Sequence, residues 1–110
     1  MPDFNDFWED LEKGILSLAE SSFNEFKTGA IAAGNDFIEQ SKADLQYWTS
    51  ELAADNLSKE DFEWLVKSKE NMAKLVILNH IGLTKVQVDK LTSGILKAVT
   101  EAALKIFTSN

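Results

Sequence analysis

His80 is the only histidine in this 110-residue chain, and so the only side chain whose ordinary pKa lies near neutrality. To act as a general base it would need a carboxylate or a nucleophile within reach, inside a cleft. Its sequence neighbours Asn79 and Ile81 supply neither. It falls on the apolar stripe of its helix, near the end, and a packed or capping histidine is the expectation. Carboxylates are abundant, but their spacing does not read as a metal centre. A di-iron bundle needs inward glutamates and a Glu-x-x-His motif, and the residue three before His80 is Ile77. Asp6, Glu9, Asp10 and Lys13 instead form a solvated helix face with i,i+4 pairing. Glu60, Asp61 and Glu63 occupy a first helical turn, where the helix dipole favours negative charge. Ser17, Ser21 and Ser22 have no base beside them. The chain has no cysteine, which removes thiolate catalysis, disulfides and cysteine metal sites. No glycine-rich phosphate loop, nucleophile elbow or calcium loop is present. The residues therefore predict a non-enzyme, with no catalytic, cofactor-binding or metal-ligating set.

Charge narrows the partners. The net charge is −7, and every basic residue is lysine. A nucleic-acid binder would cluster Arg and Lys on one face, so nucleic acid is not expected. The two halves differ. Residues 1–55 hold twelve acids against three lysines, giving −9, and residues 56–110 hold six acids against eight lysines, giving +2. Two explanations compete: the halves complement each other within the fold, or the acidic half receives a basic partner. The opening residues Met1-Pro2-Asp3-Phe4 lack a charged-then-apolar leader. No apolar run approaches the roughly 18 residues of a membrane span. A cytoplasmic protein is expected.

These residues must be carried by helices. Pro2 is the only proline, so none breaks a helix further along, and no segment alternates apolar and polar residues long enough for a strand. The fold class expected is all-α and of helical-bundle type, in a single domain spanning residues 1–110. In the first half, Phe4, Ile15, Phe26, Phe37 and Trp48 recur every eleven residues, and so do Trp8, Ala19, Ala30, Ser41 and Leu52. Eleven residues make three turns at about 3.67 per turn, close to the natural α-helix. The spacing predicts one long acidic amphipathic helix over 3–54, roughly 75 Å if straight, with two helices in series as the alternative, which would leave four segments suited to an up-down four-helix bundle. The doubtful stretch is residues 28–35. There Gly29, Gly34 and Asn35 suit a kink or a turn, with Asp36 as N-cap and Glu39 completing a capping box.

Residues 56–110 read as a helical hairpin. Ser58 caps a helix with Asp61 at N3, and Leu57 staples to Phe62. That helix is expected to run to His80, with Gly82 as its stop. Thr84 and Gln87 repeat the cap, and Leu83 staples to Val88. On the first of these two helices Trp64, Leu75 and Leu78 lie opposite the main apolar stripe. A surface helix needs only one such stripe, so the second one predicts either a cover or a binding face.

The chain thus carries more apolar face than three helices need, and self-association would bury the excess. The candidate interface residues are Phe4, Phe7, Trp8, Ile15, Phe26, Phe37, Trp48, Trp64, Leu75 and Leu78. Tryptophan and phenylalanine bury large areas at small entropic cost. The function expected is a non-enzymatic interaction or scaffold protein, a homo-oligomer of dimer size or larger, with a protein partner as a further option. Two alternatives accompany it. One is an amphipathic protein coating a lipid or hydrophobic granule surface, although such helices usually carry basic polar faces. The other is an acidic inhibitor or immunity-type protein steered onto a basic partner.

Overall fold

Phe7, Leu11, Ile15 and Ala19 follow one another every four residues, so a helix through them turns one stripe inward. The computed structural model, which describes residues 4–108, places that stripe on α1 (Phe4–Ser22), with all four side chains buried. A short 3₁₀ turn, Asn24–Phe26, reverses the chain into α2 (Lys27–Ala53). Then come α3 (Lys59–Lys67), α4 (Glu70–His80) and α5 (Lys85–Phe107). The described residues form an all-α bundle without strands. Four antiparallel units close a ring: α1 packs on α2 and α5, and α4 packs on the same two helices, with α3 against α5. The particle measures 40 × 22 × 21 Å, with a radius of gyration of 13.5 Å. None of the described helices is long and apolar enough to cross a membrane.

The long first helix is corrected by this structure. Residues 4–53 are two helices, not one, and the break lies at residues 23–26 rather than 29–35. Gly29, Gly34 and Asn35 are inside α2, as is Asp36, which therefore caps nothing. The reversal follows Ser21-Ser22-Phe23-Asn24. Serine and asparagine compete with helical bonds through their own side chains, and Phe23 turns into the core, where it is 4% exposed. The glycines serve close approach. A Cβ on Gly34 would lie 2.7 Å from Ile15 Cγ2, and one on Gly29 would lie 2.8 Å from Ile81 Cγ1.

Both expected caps of the second half are present. Asp61 N–H donates to Ser58 Oγ at 3.1 Å. Thr84 and Gln87 form a reciprocal capping box, with Gln87 N–H on Thr84 Oγ1 at 3.2 Å and Thr84 N–H on Gln87 Oε1 at 3.0 Å. Two details differ. The helix expected over 58–80 divides at Ser68–Lys69, where Lys69 N–H bonds the Val66 carbonyl at 3.0 Å in a tighter turn. Gly82 does not stop α4, because Ile81 has already left the helix in an extended conformation (φ −141°, ψ 139°) and packs against Gly29. The other helix end, that of α2, closes on Asp55 at φ 64°. There Asn56 N–H reaches the Glu51 carbonyl at 2.9 Å and Asp55 N–H reaches that of Leu52 at 3.2 Å, a Schellman ending.

The glycines separate two outcomes. Gly34→Ala forces a methyl onto the β-branched Ile15, and overpacking of this kind costs about 1–3 kcal/mol. Gly14→Ala brings only an ordinary 3.5 Å contact with Ala98, and removing a mid-helix glycine gains about 0.5–1 kcal/mol. Urea unfolding is expected to show Gly34→Ala less stable than wild type and Gly14→Ala more stable.

Candidate functional site

The bundle interior takes three of the residues expected at an interface. Phe7, Ile15 and Phe37 are enclosed within one chain. Phe4, Trp8, Phe26 and Trp48 are half-buried. Phe4 lies against Phe7 and Trp8, with ring centroids 5.5 and 5.3 Å apart, and Phe7 meets Phe107 at 5.7 Å. These rings cap one end of the bundle, and the Lys42 ammonium sits 5.1 Å from the Trp8 ring. Trp48 carries the Lys69 ammonium in the same way, at 5.6 Å, while Lys69 also pairs with Asp44.

Three of the expected residues stay in solvent. Trp64 is 70% exposed, Leu75 64% and Leu78 55%. Each lies on the solvent side of its own helix, Trp64 of α3 opposite the buried Phe62 and Val66, and Leu75 and Leu78 of α4 away from the buried Ala73 and Ile77. Sequence reasoning missed Val86, which is 77% exposed. The ion pair between Lys74 and Asp89, at 3.4 Å, sets the antiparallel register of α4 and α5. Leu78 is one turn beyond Lys74 and Val86 one turn before Asp89, so the register brings Val86 alongside the Leu75–Leu78 end. The flanking Asn71 and Asn79 are exposed and neutral.

Of the two roles expected of His80, packed or capping, the structure does not give the packed one. His80 lies exposed at the C-terminal turn of α4, with Nε2 2.9 Å from Asp36 Oδ2 on α2. A cation is favoured at that helix end. The carboxylate that its sequence neighbours lack thus arrives from 44 residues away, and no local spacing could have announced it. Gln40 also donates to Asp36, at 3.0 Å. The hydrogen bonds from Gln40 and then His80, with the histidine charge, hold the Asp36 carboxyl below the ordinary carboxylate value, against a smaller desolvation effect. The pair bridges α2 and α4 at the solvent edge of their contact. Lys74 is pushed up by its bonds to Glu70 and then Asp89.

A groove of about 450 Å³ runs between α1 and α5 over Gly14, Ser17, Ser21, Gly94 and Ala98. It is open to solvent and bordered by the Asp10–Lys105 ion pair. It is the trough left where small residues let two helices meet. Among the described residues, no three acidic or histidine side chains converge on a metal-sized site, and no buried side-chain polar atom lacks a hydrogen bond. The chain matches no family model, no curated protein and no solved structure.

Because folding depresses the Asp36 pKa, its stabilisation is present above the unfolded carboxyl pKa and is lost as pH falls through the folded value. Thermal melting from pH 6 downward is expected to fall more steeply for wild type than for Asp36→Asn. The divergence begins below about pH 4, where an ordinary Asp takes up its proton.

Proposed function

We propose that this chain is a non-enzymatic interaction protein that self-associates through the outer face of α3 and α4. The observation that carries the reading is the exposure of three large apolar side chains on these helices, Trp64, Leu75 and Leu78, with Val86 exposed at the start of the neighbouring α5. Large contiguous apolar side chains on a surface mark interaction sites more often than chance. Charge supports a second copy as the occupant. Across most of its surface a protein of net charge −7 repels itself. The line from Asn71 to Asn79 on α4 presents no acid outward, and the half that contains it carries +2. A two-fold axis between Leu75 and Leu78 sets each leucine against the other's counterpart, the self-complementary arrangement of a C2 dimer. Four side chains cover less than the roughly 800 Å² per partner of a standard interface, so the dimer is weak and concentration-dependent.

The acidic half favours a second reading. Glu9, Glu12, Glu20, Glu25 and Glu39 are all exposed on α1, α2 and the turn between them, a field that would steer a basic protein. Capture of that kind fades as salt is raised.

Light scattering across a wide concentration range tests self-association. Wild type is expected to rise from the 12.3 kDa of one chain toward twice that mass. The Leu75→Glu/Leu78→Glu double variant, folded in dilute solution and kept folded throughout, should lose this rise and stay equally helical. A wild-type mass that holds at one chain throughout would remove the self-association reading.

A further inference from the structure

The reversal between α1 and α2 lacks the usual devices of a turn. Residues 22–26, Ser-Phe-Asn-Glu-Phe, contain no glycine and no proline. Neither Phe23 nor Phe26, the residues at the cap positions of the 3₁₀ turn and of α2, receives a side-chain cap. Short-range sequence therefore does little to enforce the break, and burial of Phe23 within the closed bundle does most of the work. Meanwhile the apolar register crosses the break in phase. Ile15 and Phe37 are buried on either side of it, as are Ala19 and Ala30, at the eleven-residue spacing of a straight helix.

We infer that α1 exchanges between two copies of this chain. The turn at Phe23–Phe26 straightens, residues 4–53 become one helix, and each α1 seats on the α2 and α5 of the other copy. The geometry suits this exchange. In the closed chain Ile15 faces Gly34, and Glu20 pairs with Lys27 at 3.3 Å, so the antiparallel register of α1 and α2 centres on residues 23–25. A two-fold axis through that point restores both contacts between copies. The contacts of α1 with α5, Gly14 on Ala98 and Leu18 on Gly94, re-form in the same way. Only the turn changes, and exchanges that conserve every contact but a hinge are a low-cost route to dimers. The straight form gains i→i−4 bonds at Asn24 and Glu25. It loses the closed chain's favourable effective concentration of α1, so the closed monomer prevails in dilute solution. This exchange does not involve the α3–α4 outer face.

The chain has no cysteine, so engineered thiols read the exchange cleanly. Gly14 and Ala98 lie on opposite sides of the α1–α5 crossing, with a built Cβ 3.5 Å from the Ala98 Cβ, inside the disulfide range. Gly14→Cys and a mass-tagged Ala98→Cys chain are mixed, unfolded, refolded together at high concentration and oxidised. Exchange is expected to give the mixed disulfide in excess of random pairing with the two homodimers. Adding Leu75→Glu/Leu78→Glu to both chains should leave that excess unchanged, which separates this result from surface association. Asn24→Pro places proline at the first position of the 3₁₀ turn, which requires Phe23 before it (φ −134°, ψ 37°) to shift toward extended backbone. The same proline would remove an i→i−4 bond from a continuous helix and clash with its preceding turn, so the excess should fall at least about tenfold. Asn24→Ala, the better helix former, should raise it. Melting curves report that each variant is folded. Random pairing in wild type and in Asn24→Ala alike, or an excess that survives Asn24→Pro, would overturn the exchange.

Discussion

Ile15 of α1 approaches the backbone of α2 so closely that a methyl group on Gly34 would come within 2.7 Å of its Cγ2. This crossing governs the rest of the bundle. It draws α1 onto α2, which requires the chain to reverse between them. The reversal in turn makes the first half a helical pair rather than a rod. With α1 laid back, α5 can pack on it through Gly14 and Gly94, and α4 closes the ring between α2 and α5. The short distances depend on glycine at the points of contact. Any side chain at position 34 would move α1 outward and loosen its contact with both neighbours. The helix-propensity cost of each mid-helix glycine is offset by the dispersion contacts that close packing allows.

The interior tolerates polar side chains because each of Ser41, Thr49 and Thr92 has a hydrogen-bond partner, two of them in the same helix. Thr49 Oγ1 donates to the Leu45 carbonyl at 2.7 Å and Thr92 Oγ1 to that of Val88 at 2.7 Å. These back-bonds use the preceding turn of the same helix, so they impose no geometry between helices. Ser41 is different. Its hydroxyl meets the Met72 sulfur across the α2–α4 contact, at 3.5 Å. It holds a position in an eleven-residue row whose other members are apolar, and its small volume suits the long Met72 side chain opposite. The solvent edge of the same contact is tied by Asp36–His80 and Lys69–Asp44. The seam between α2 and α4 thus grades from apolar through a soft polar contact to ion pairs.

The second half of the chain was readable because its signals are local. The cap at Ser58 and the capping box of Thr84 and Gln87 each depend on residues within one turn. The first half was misread for a related reason. Eleven-residue spacing records which residues face inward, and an antiparallel pair can satisfy it as well as a rod. The true break carries only the weak signature Ser-Ser-Phe-Asn, whereas Gly29 and Gly34 carry the strong one. Glycine reports either a turn or a close approach, and only tertiary structure distinguishes them. The surface divides in the same way. Trp64, Leu75 and Leu78 stood out on the helical wheel and are exposed. Phe7, Ile15 and Phe37 looked surplus only while the first half was taken as a single helix with nothing folded against it. The Asp36–His80 pair joins residues that no periodicity connects.

Closing the bundle changes what the apolar surplus means. A rod would leave an apolar face along most of its length and would require a partner in order to fold. The bundle encloses that face, so its folding does not depend on association, and the remaining exposed apolar line lies on the half of the chain with the lower density of acid. Apolar contact and charge therefore act on different faces. The outer side of α4 from Asn71 to Asn79 carries exposed leucines and no acid, whereas α1 and α2 carry many exposed acids with Leu16 and Tyr47 as their large exposed apolar side chains. A ligand bound by shape and one bound by charge would occupy different sides of the same molecule. Raising salt would weaken the second and leave the first largely intact, because screening acts on exposed charges and not on apolar burial.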